Sequence, residues 1–424
     1  MEHVNGNQKF AVLLCRFRAD TPVERQPREF FEDLFVNDSE DGLNRYWQDA
    51  SHGNISLDGS QVFGWRELPQ TLAEFKGISD RIERIRRVAE HFANVGNNQV
   101  DFRSFTGIIV VTDQDVDLTS RRVRPTFNLN GEDRPYRVVI CSQFSSHEAI
   151  AHEMGHSFGL DHSFSNNPMS CNAANDGRPG AYCDSWDIMS GQLSKSIARP
   201  RFSHSGPLMN AVNMNILGWL LDSRVRSFTG NSDSMELRPL SRPDLPGALA
   251  IRVDSLLVEF RMNKGWDEGF GTPGVLIHKV DYRFPPVVTP EDEHSVVVGW
   301  PGVEFLQEGD SYAEGDPRFG PYVRVDVTNI DPVNESATIS LLRKARVGVP
   351  DELGILQWIV EGIIGVSPQG RVVIVPPRPP LRDILIGVAM NEMAQSLTDS
   401  ENRAALSQAS MNLIAETARK ELGR

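Results

Sequence analysis

The sequence lacks any apolar run long enough to cross a membrane, since such a helix needs about 20 apolar residues and none of the runs here approaches that length. It also lacks an excess of positive charge. Lys and Arg number 43 against 57 Asp and Glu, and the net charge is -14. Because phosphate backbones bind basic surfaces, this balance argues against nucleic acid as the main partner.

The first residues contain no secretory leader. The stretch MEHVNGNQKF has neither the basic nor the apolar segment of a signal peptide. As it stands, the chain is therefore expected in the cytoplasm, and it would be extracellular if a leader had been removed. The sequence leaves the oligomeric state open.

Cysteine is scarce, with four residues in the chain. Cys15 and Cys141 lie in apolar runs and are predicted to be buried strand residues. Cys171 and Cys183 share one loop rich in Gly, Asn and Pro. A disulfide between them is plausible only in an oxidising compartment, so both states stay open.

A chain of 424 residues is too long for one core, and three parts are predicted. Residues 8–222 alternate apolar strands with amphipathic helices, which indicates an α/β (α+β) domain with a mixed sheet. Residues 223–346 contain short strands between Gly, Pro and Asp turns, a pattern typical of a β-sandwich-like domain. Residues 347–424 are predicted to be a helical C-terminal extension behind the Pro-rich linker PPRPP.

Periodicity predicts the elements of the first and last parts. Strands are expected at 9–17, 104–112 and 136–142, with one or two strands over 54–65. Helices are expected over 28–50, 71–95, 207–221, 350–364 and 382–422.

Residues 152–162 read HEMGHSFGLDH, an instance of H-E-x-x-H-x-x-G-x-x-H. His152 and His156 are four residues apart, so both imidazoles leave one face of a helix and can share a cation. Glu153 lies one step round the helix, where it can reach a metal-bound water as general base. His162 is predicted to be the third ligand. Three neutral imidazoles leave a fourth position open, which is typical of a catalytic zinc site with one Zn2+.

Two further signals set the limits of this helix. Ser145 and Glu148 have the spacing of a capping box, so the helix should begin near Ser146. Gly159 permits the left-handed turn that ends the helix and returns the chain to His162.

The motif and a later segment, YCDSWDIMSG at 182–191, together resemble the metzincin zinc metallopeptidases. The pattern Tyr-x-Asp-x-x-x-x-Met-x-Gly is most similar to the gametolysin group. The resemblance implies that Met189 lies in a Met-turn beneath the metal, that His152, His156 and His162 are ligands, and that Glu153 is the base. Some metzincins have a tyrosine two residues after this methionine, where the present chain has Gly191.

Other segments resemble the immune inhibitor A peptidases. These are YWQDASHGNISLDG at 46–59, and LLVEFRMNKGWDEGF followed by GVLIHKVD at 256–281. That group lacks the third histidine in this form, whereas the chain has His162. The resemblances cover about residues 9–345, and they imply a metzincin-like catalytic domain with a twisted sheet and an active-site helix.

Two weaker features complete the set of candidates. Asp113, Asp115 and Asp117 offer hard oxygen ligands, so Ca2+ is possible there, although a solvated acidic turn is the simpler interpretation. Residues 121–133 lie between strands and are a candidate sheet edge for the substrate. Their arginines, Arg121, Arg122 and Arg124, could favour acidic substrates or could simply be solvated.

The resulting expectation is a zinc-dependent metalloendopeptidase that acts on protein or peptide substrates. One alternative is a catalytically idle zinc scaffold that binds ligands through its β-rich domain. The intact Glu153 argues against it, because a scaffold has no need of a base. Another alternative is a hydrolase of non-peptide amides. The predicted tail, residues 350–424, could regulate access to the site.

Overall fold

The computed structural model of the chain describes residues 3–18, 24–95, 99–166, 180–281, 294–298, 304–315, 317, 321–344, 364–366 and 372–374. Within them the protein is mixed α/β, with several sheets and few helices. None of these helices is long and apolar enough to span a membrane. Contacts divide the chain into two compact units, Met1–Thr229 with Ser234–Asp310 and Asp326–Ser340, and Gly230–Asp233 with Ser311–Val325 and Leu341–Arg424.

The α-helices of the described residues are α1 (Arg28–Phe35), α2 (Leu43–Ala50), α3 (Leu72–Lys76), α4 (Arg81–Asn94), α5 (His147–Phe158) and α6 (Ala211–Ile216). The first strands are β1 (Gly6–Asn7), β2 (Phe10–Arg16), β3 (Ile55–Ser56), β4 (Gln61–Glu67), β5 (Gly107–Thr112), β6 (Thr119–Ser120), β7 (Thr126–Leu129), β8 (Glu132–Pro135), β9 (Arg137–Ser142), β10 (Phe164–Ser165), β11 (Ile197–Arg199) and β12 (Ser203–Ser205). The later strands are β13 (Val225–Ser227), β14 (Ser232–Leu237), β15 (Ala250–Val253), β16 (Leu256–Arg261), β17 (Gly274–Asp281), β18 (His294–Val297), β19 (Ser311–Gly315), β20 (Tyr322–Asp331), β21 (Ser336–Lys344), β22 (Ile364–Val366) and β23 (Val372–Ile374).

A five-stranded sheet with the order β4-β2-β5-β9-β6 carries the N-terminal part of the first unit. Its first four strands run parallel, and β6 pairs antiparallel with β9. Strands β2, β5 and β9 are almost continuous apolar runs, as expected for parallel strands covered on both faces. Cys15 and Cys141 are free and fully buried there, which confirms their prediction as core residues.

Helices cover both faces of this sheet. Alternate residues of a strand point to opposite faces, so Val12 contributes to one apolar core and Leu13 to the other. The core on the Val12 side includes Trp47 of α2 and Met154 of α5. The core on the Leu13 side includes Phe92 of α4. The predicted α/β class is therefore confirmed, and α5 lies against one face of the sheet.

The predicted helices differ from the observed ones at their boundaries. The segment 28–50 forms two helices, α1 and α2, because the polar run before Gly42 interrupts it. The segment 71–95 likewise divides into α3 and α4. The helix predicted over 207–221 is shorter in the structure, where α6 covers Ala211–Ile216. It begins there because Asn210 caps its first turn by accepting the N–H of Asn213. The predicted strands correspond to β2, β5 and β9, and the segment 54–65 forms two strands, β3 and β4.

The predicted β-rich region is built of strands. One sheet has the order β10-β18-β17-β16-β15-β13, and another has the order β14-β21-β20-β19. A sandwich packing of sheets, and domain boundaries at 222 and 346, stay predictions. The helices expected over 350–364 and 382–422 and the linker PPRPP lie outside the described residues, apart from Ile364 at the start of β22.

Fully buried charges join β16 to the start of α6. Arg261 donates two hydrogen bonds to Asp267, with Nε 2.9 Å from Oδ2 and Nη2 2.6 Å from Oδ1, and its Nη1 lies 3.0 Å from Glu259 Oε1. Asp267 also accepts the N–H of Leu208, and Glu259 accepts that of Ala211. Buried ions are tolerated when they are paired and hydrogen-bonded, so this group fixes the chain where α6 begins.

His278 on β17 stands between two buried carboxylates. Its Nε2 is 3.0 Å from Asp184 Oδ2, and its Nδ1 is 3.9 Å from Glu259 Oε2. Burial by itself would lower the pKa of His278, but the two carboxylates outweigh burial and raise this pKa above its usual value. The folded protein therefore binds this proton more tightly than the unfolded chain does.

We expect His278 to contribute stability that is complete below about pH 6.5 and is lost as pH rises through its raised pKa. His278→Gln should lower the free energy of unfolding by about 3–5 kcal/mol near pH 6, because it leaves buried carboxylates without their partner. The difference from wild type should shrink towards alkaline pH. Urea unfolding at several pH values measures it, with exposed His204→Gln as control. A difference that is independent of pH would contradict the charged pair.

Candidate metal centre

Helix α5 carries the first two histidines of the motif. Its N-cap is Ser146, whose Oγ accepts the N–H of Ala149 at 3.2 Å, so the predicted start is confirmed. The capping box expected from Ser145 and Glu148 does not form. Ser145 Oγ instead accepts the N–H of Ser142, and Glu148 is buried.

Gly159 ends the helix in the left-handed conformation, with φ of 112°. Its N–H donates to the carbonyl of His156, and the next N–H, that of Leu160, donates to Gly155. A residue with a Cβ adopts this φ only at a cost, so glycine sets the point at which the chain turns back. The turn returns His162 to the face of α5 that carries the other two histidines.

The three histidines converge. One nitrogen from each of His152, His156 and His162 lies within 4.8 Å of the others. Nε2 of His152 is 3.0 Å from Nε2 of His156, and the ring centroid of His162 is 4.8 Å from that of His156. Among the His, Cys, Asp and Glu residues that the structure describes, no other group brings three potential metal-ligand atoms this close together.

Main-chain carbonyls orient two of the imidazoles. Nδ1 of His152 is 3.0 Å from the carbonyl oxygen of Ile188, and Nδ1 of His156 is 2.9 Å from that of Leu160. A carbonyl only accepts, so each Nδ1 carries the proton, and each Nε2 presents a lone pair. Burial lowers the pKa of His152 to about 3 and that of His156 to about 4, which keeps both rings neutral.

This donor set fits a divalent metal. Two lone pairs that face each other at 3.0 Å repel unless a cation lies between them and the third histidine. In a tetrahedral zinc site with Zn–N bonds of about 2.0–2.1 Å, the ligand nitrogens are about 3.4 Å apart. Three imidazoles can thus hold a metal ion here, and imidazole suits zinc, copper, iron and nickel alike.

Glu153 follows the first histidine on α5 and is partly buried. Burial raises the pKa of Glu153 to about 7, and Arg81 opposes the shift. A carboxylate of this basicity can accept a proton near neutral pH more readily than an exposed one.

Met189 packs directly beneath α5. It lies in the turn Asp187–Ser190, which we call the methionine turn, and it is fully buried. A Cβ built on Gly155 would lie 2.4 Å from Met189 Sδ, so only glycine at residue 155 lets the sulfur approach the helix. The structure therefore brings Met189 to the helix that carries two of the histidines, on the side of Gly155.

Tyr182 is a residue of this site to which the sequence assigns no role. Its ring centroid is 3.8 Å from that of His162 and 6.0 Å from that of His152. Its φ is 62°, a conformation that is costly for an aromatic residue and persists where surrounding contacts impose it. The only sequence signal for it is its place in the Tyr-x-Asp-x-x-x-x-Met-x-Gly pattern.

The acidic residues suggested for calcium do not converge. Asp113 accepts the N–H of Phe17, Asp115 accepts the hydroxyl of Ser142, and Asp117 lies 3.5 Å from an arginine of α4. Each carboxylate therefore has its own partners, and the structure gives no support for Ca2+ at these positions.

Two of the arginines suggested for substrate binding also have partners within the protein. Arg122 donates to Asp161 at 3.0 Å, and Asp161 in turn accepts the N–H of His162. Arg121 lies 3.7 Å from Asp80. Arg122 thus belongs to the support of the third histidine, which weakens the case for an acidic substrate preference.

The remaining features are a disulfide-bonded cysteine and a cavity. Cys183 is disulfide-bonded, while Cys171 lies outside the described residues. A cavity of about 610 Å³ is lined by none of the histidines or Glu153, but by Asp38, Glu40, Asp41, Arg45, Asp49, Arg199, Gly265, Trp266 and Glu268. This cavity is therefore distinct from the candidate metal centre.

Comparison with known proteins adds no assignment, because no protein-family model and no curated protein matches the chain.

We expect the wild-type protein to bind one Zn2+ per chain, and His162→Ala to weaken binding by more than about 100-fold, since a lost ligand should cost more than a lost outer partner does. His204→Ala, which removes an exposed histidine, should bind like wild type. Elemental analysis gives the stoichiometry, and competition with a chromophoric chelator gives the affinity. Equal affinities of the two variants would contradict the assignment of His162.

Proposed function

We propose that the chain is a zinc-dependent endopeptidase of the metzincin type that hydrolyses peptide bonds of protein substrates. The observation that carries the proposal is the convergence of His152, His156 and His162. Glu153 lies on α5, the helix that carries the first two of these histidines. A structural zinc site is closed by four protein ligands, whereas three imidazoles leave a position for water or substrate. The position of Met189 against α5 also supports a peptidase of the metzincin type.

In this proposal the three imidazoles, Glu153 and two main-chain carbonyls have separate roles. His152, His156 and His162 would hold a zinc ion, which would supply the Lewis acidity that activates a water molecule and polarises the scissile carbonyl. Glu153 accepts a proton from the attacking water and delivers it to the nitrogen of the leaving amine. The carbonyls of Ile188 and Leu160 hold His152 and His156 as Nδ1–H tautomers throughout.

An extended substrate is expected along the β6 edge of the five-stranded sheet. Strand β6 is the last strand on that side within the described residues, and it follows directly on the loop that ends at Leu118. The candidate edge from the sequence is 121–133, but residues 126–133 of that segment belong to the hairpin of β7 and β8. Main-chain pairing with β6 would bind peptides with little dependence on their side chains.

We expect Glu153→Gln to lower the turnover of an unfolded protein such as casein by at least about 100-fold while Zn2+ affinity stays within a few fold, because the side chain acts as a base and not as a ligand. Glu148→Gln is the matched control, since it alters another buried glutamate of α5 and should leave turnover largely unchanged. Product formation under saturating zinc measures both.

The outcomes separate the candidate functions. Loss of cleavage in Glu153→Gln alone supports the peptidase and the base together. Zinc-loaded wild type that leaves casein and other unfolded proteins intact would count against the peptidase. The scaffold would then be favoured, unless a panel of small non-peptide amides is hydrolysed.

A further inference from the structure

We infer that Asp187 is a positioning residue, which holds the third metal ligand and the methionine turn in a fixed relation through Ser163. The inference rests on the proposed metal site, because it concerns the support of His162. It assigns a role to a buried carboxylate that touches neither the metal position nor a substrate.

Ser163, the residue after His162, is held by the methionine turn at each of its polar groups. Its N–H donates to the carbonyl of Met189 at 3.1 Å. Its hydroxyl donates to Asp187 Oδ1 at 2.9 Å, and its carbonyl accepts from Ser190 Oγ at 3.5 Å. Ser163 has no exposed surface. The chain beside His162 can therefore move only if the turn moves with it.

Asp187 in turn fixes the methionine turn to the rest of the first unit. Its Oδ1 accepts the N–H of Met189 at 2.7 Å and the side-chain amide of Asn213 at 3.1 Å, in addition to the Ser163 hydroxyl. Its Oδ2 accepts the N–H of Asn210 at 2.6 Å. One fully buried carboxylate thus receives four hydrogen bonds, from the turn, from the third ligand's neighbour and from α6 with its cap.

The same turn also supports the first ligand, since the carbonyl of Ile188 accepts Nδ1–H of His152. His152 on α5 and His162 beyond Gly159 are therefore set against one short piece of chain. Asp187 fixes the methionine turn through both carboxylate oxygens, because Oδ1 accepts the N–H of Met189 in the turn and Oδ2 accepts the N–H of Asn210. A carboxylate suits this place because it accepts at every lone pair and donates nothing, whereas any neutral side chain would leave buried N–H groups without an acceptor.

The test compares two buried serines of the same network. Ser163→Ala removes the hydrogen bond from the neighbour of His162 to Asp187, together with the one that its hydroxyl accepts from the Asn213 amide at 3.0 Å. Ser295→Ala is the matched control, because Ser295 is equally buried and only accepts the side-chain amide of Asn210 at 2.8 Å. We would measure Zn2+ affinity by chelator competition on the full chain, the visible spectrum of the Co2+ form, and thermal unfolding.

We expect Ser163→Ala to weaken Zn2+ binding by about 10–100-fold, as outer partners of metal ligands do, with a changed Co2+ spectrum. Ser295→Ala should stay within about threefold of wild type at a similar loss of thermal stability. In Asp187→Ala, a further Ser163→Ala change should lower Zn2+ affinity by no more than about threefold, because the hydrogen bond to Asp187 is already gone and only the one from the Asn213 amide is left to lose. If Asp187→Ala does not fold, the comparison of Ser163→Ala with Ser295→Ala is the test of the inference.

Zn2+ affinity of Ser163→Ala equal to that of wild type would overturn the inference. So would an equal loss in Ser295→Ala, which would show a general effect of stability on the site. Neither result depends on cleavage of casein. A wild type that binds zinc but cleaves nothing would overturn the peptidase and leave the comparison of the serines intact.

Discussion

Two hydrogen bonds from imidazole to main chain decide what the site can hold. His152 and His156 each give their Nδ1 proton to a carbonyl, so the lone pairs on Nε2 are left facing one another at 3.0 Å. Such a pair is stable only around a positive charge. The arrangement of α5, of the turn at Gly159 and of the methionine turn can be understood as the means of producing this pair and of bringing His162 to it.

Much of the site follows from spacing alone. A helical turn takes about 3.6 residues, so residues four apart such as His152 and His156 share a face, and the left-handed turn at Gly159 accounts for the return of His162. The orienting carbonyl of Ile188 could not be predicted, because it lies 36 residues from His152 along the chain. Tyr182 could not be predicted either, since its stacking depends on where the loop folds back.

The fold was predictable where a local pattern dominated. Apolar strands such as β5 and β9 were predicted because their burial on both faces requires apolar side chains throughout. The buried charges were not, since Glu259 and Arg261 interrupt an otherwise apolar strand, and charged residues normally face solvent. They lie two residues apart on one face of β16 and pair with each other, and Arg261 also pairs with Asp267 from a following turn. Only the tertiary contact reveals that compensation.

The approach of Met189 to α5 has a consequence for how such sequences can change. The sulfur occupies the space that any side chain at residue 155 would need. A larger residue there would be tolerated only together with a smaller one at residue 189. In related chains these two positions should therefore vary as a pair, so that a residue inside the histidine motif and one in a distant loop change together to keep their combined volume.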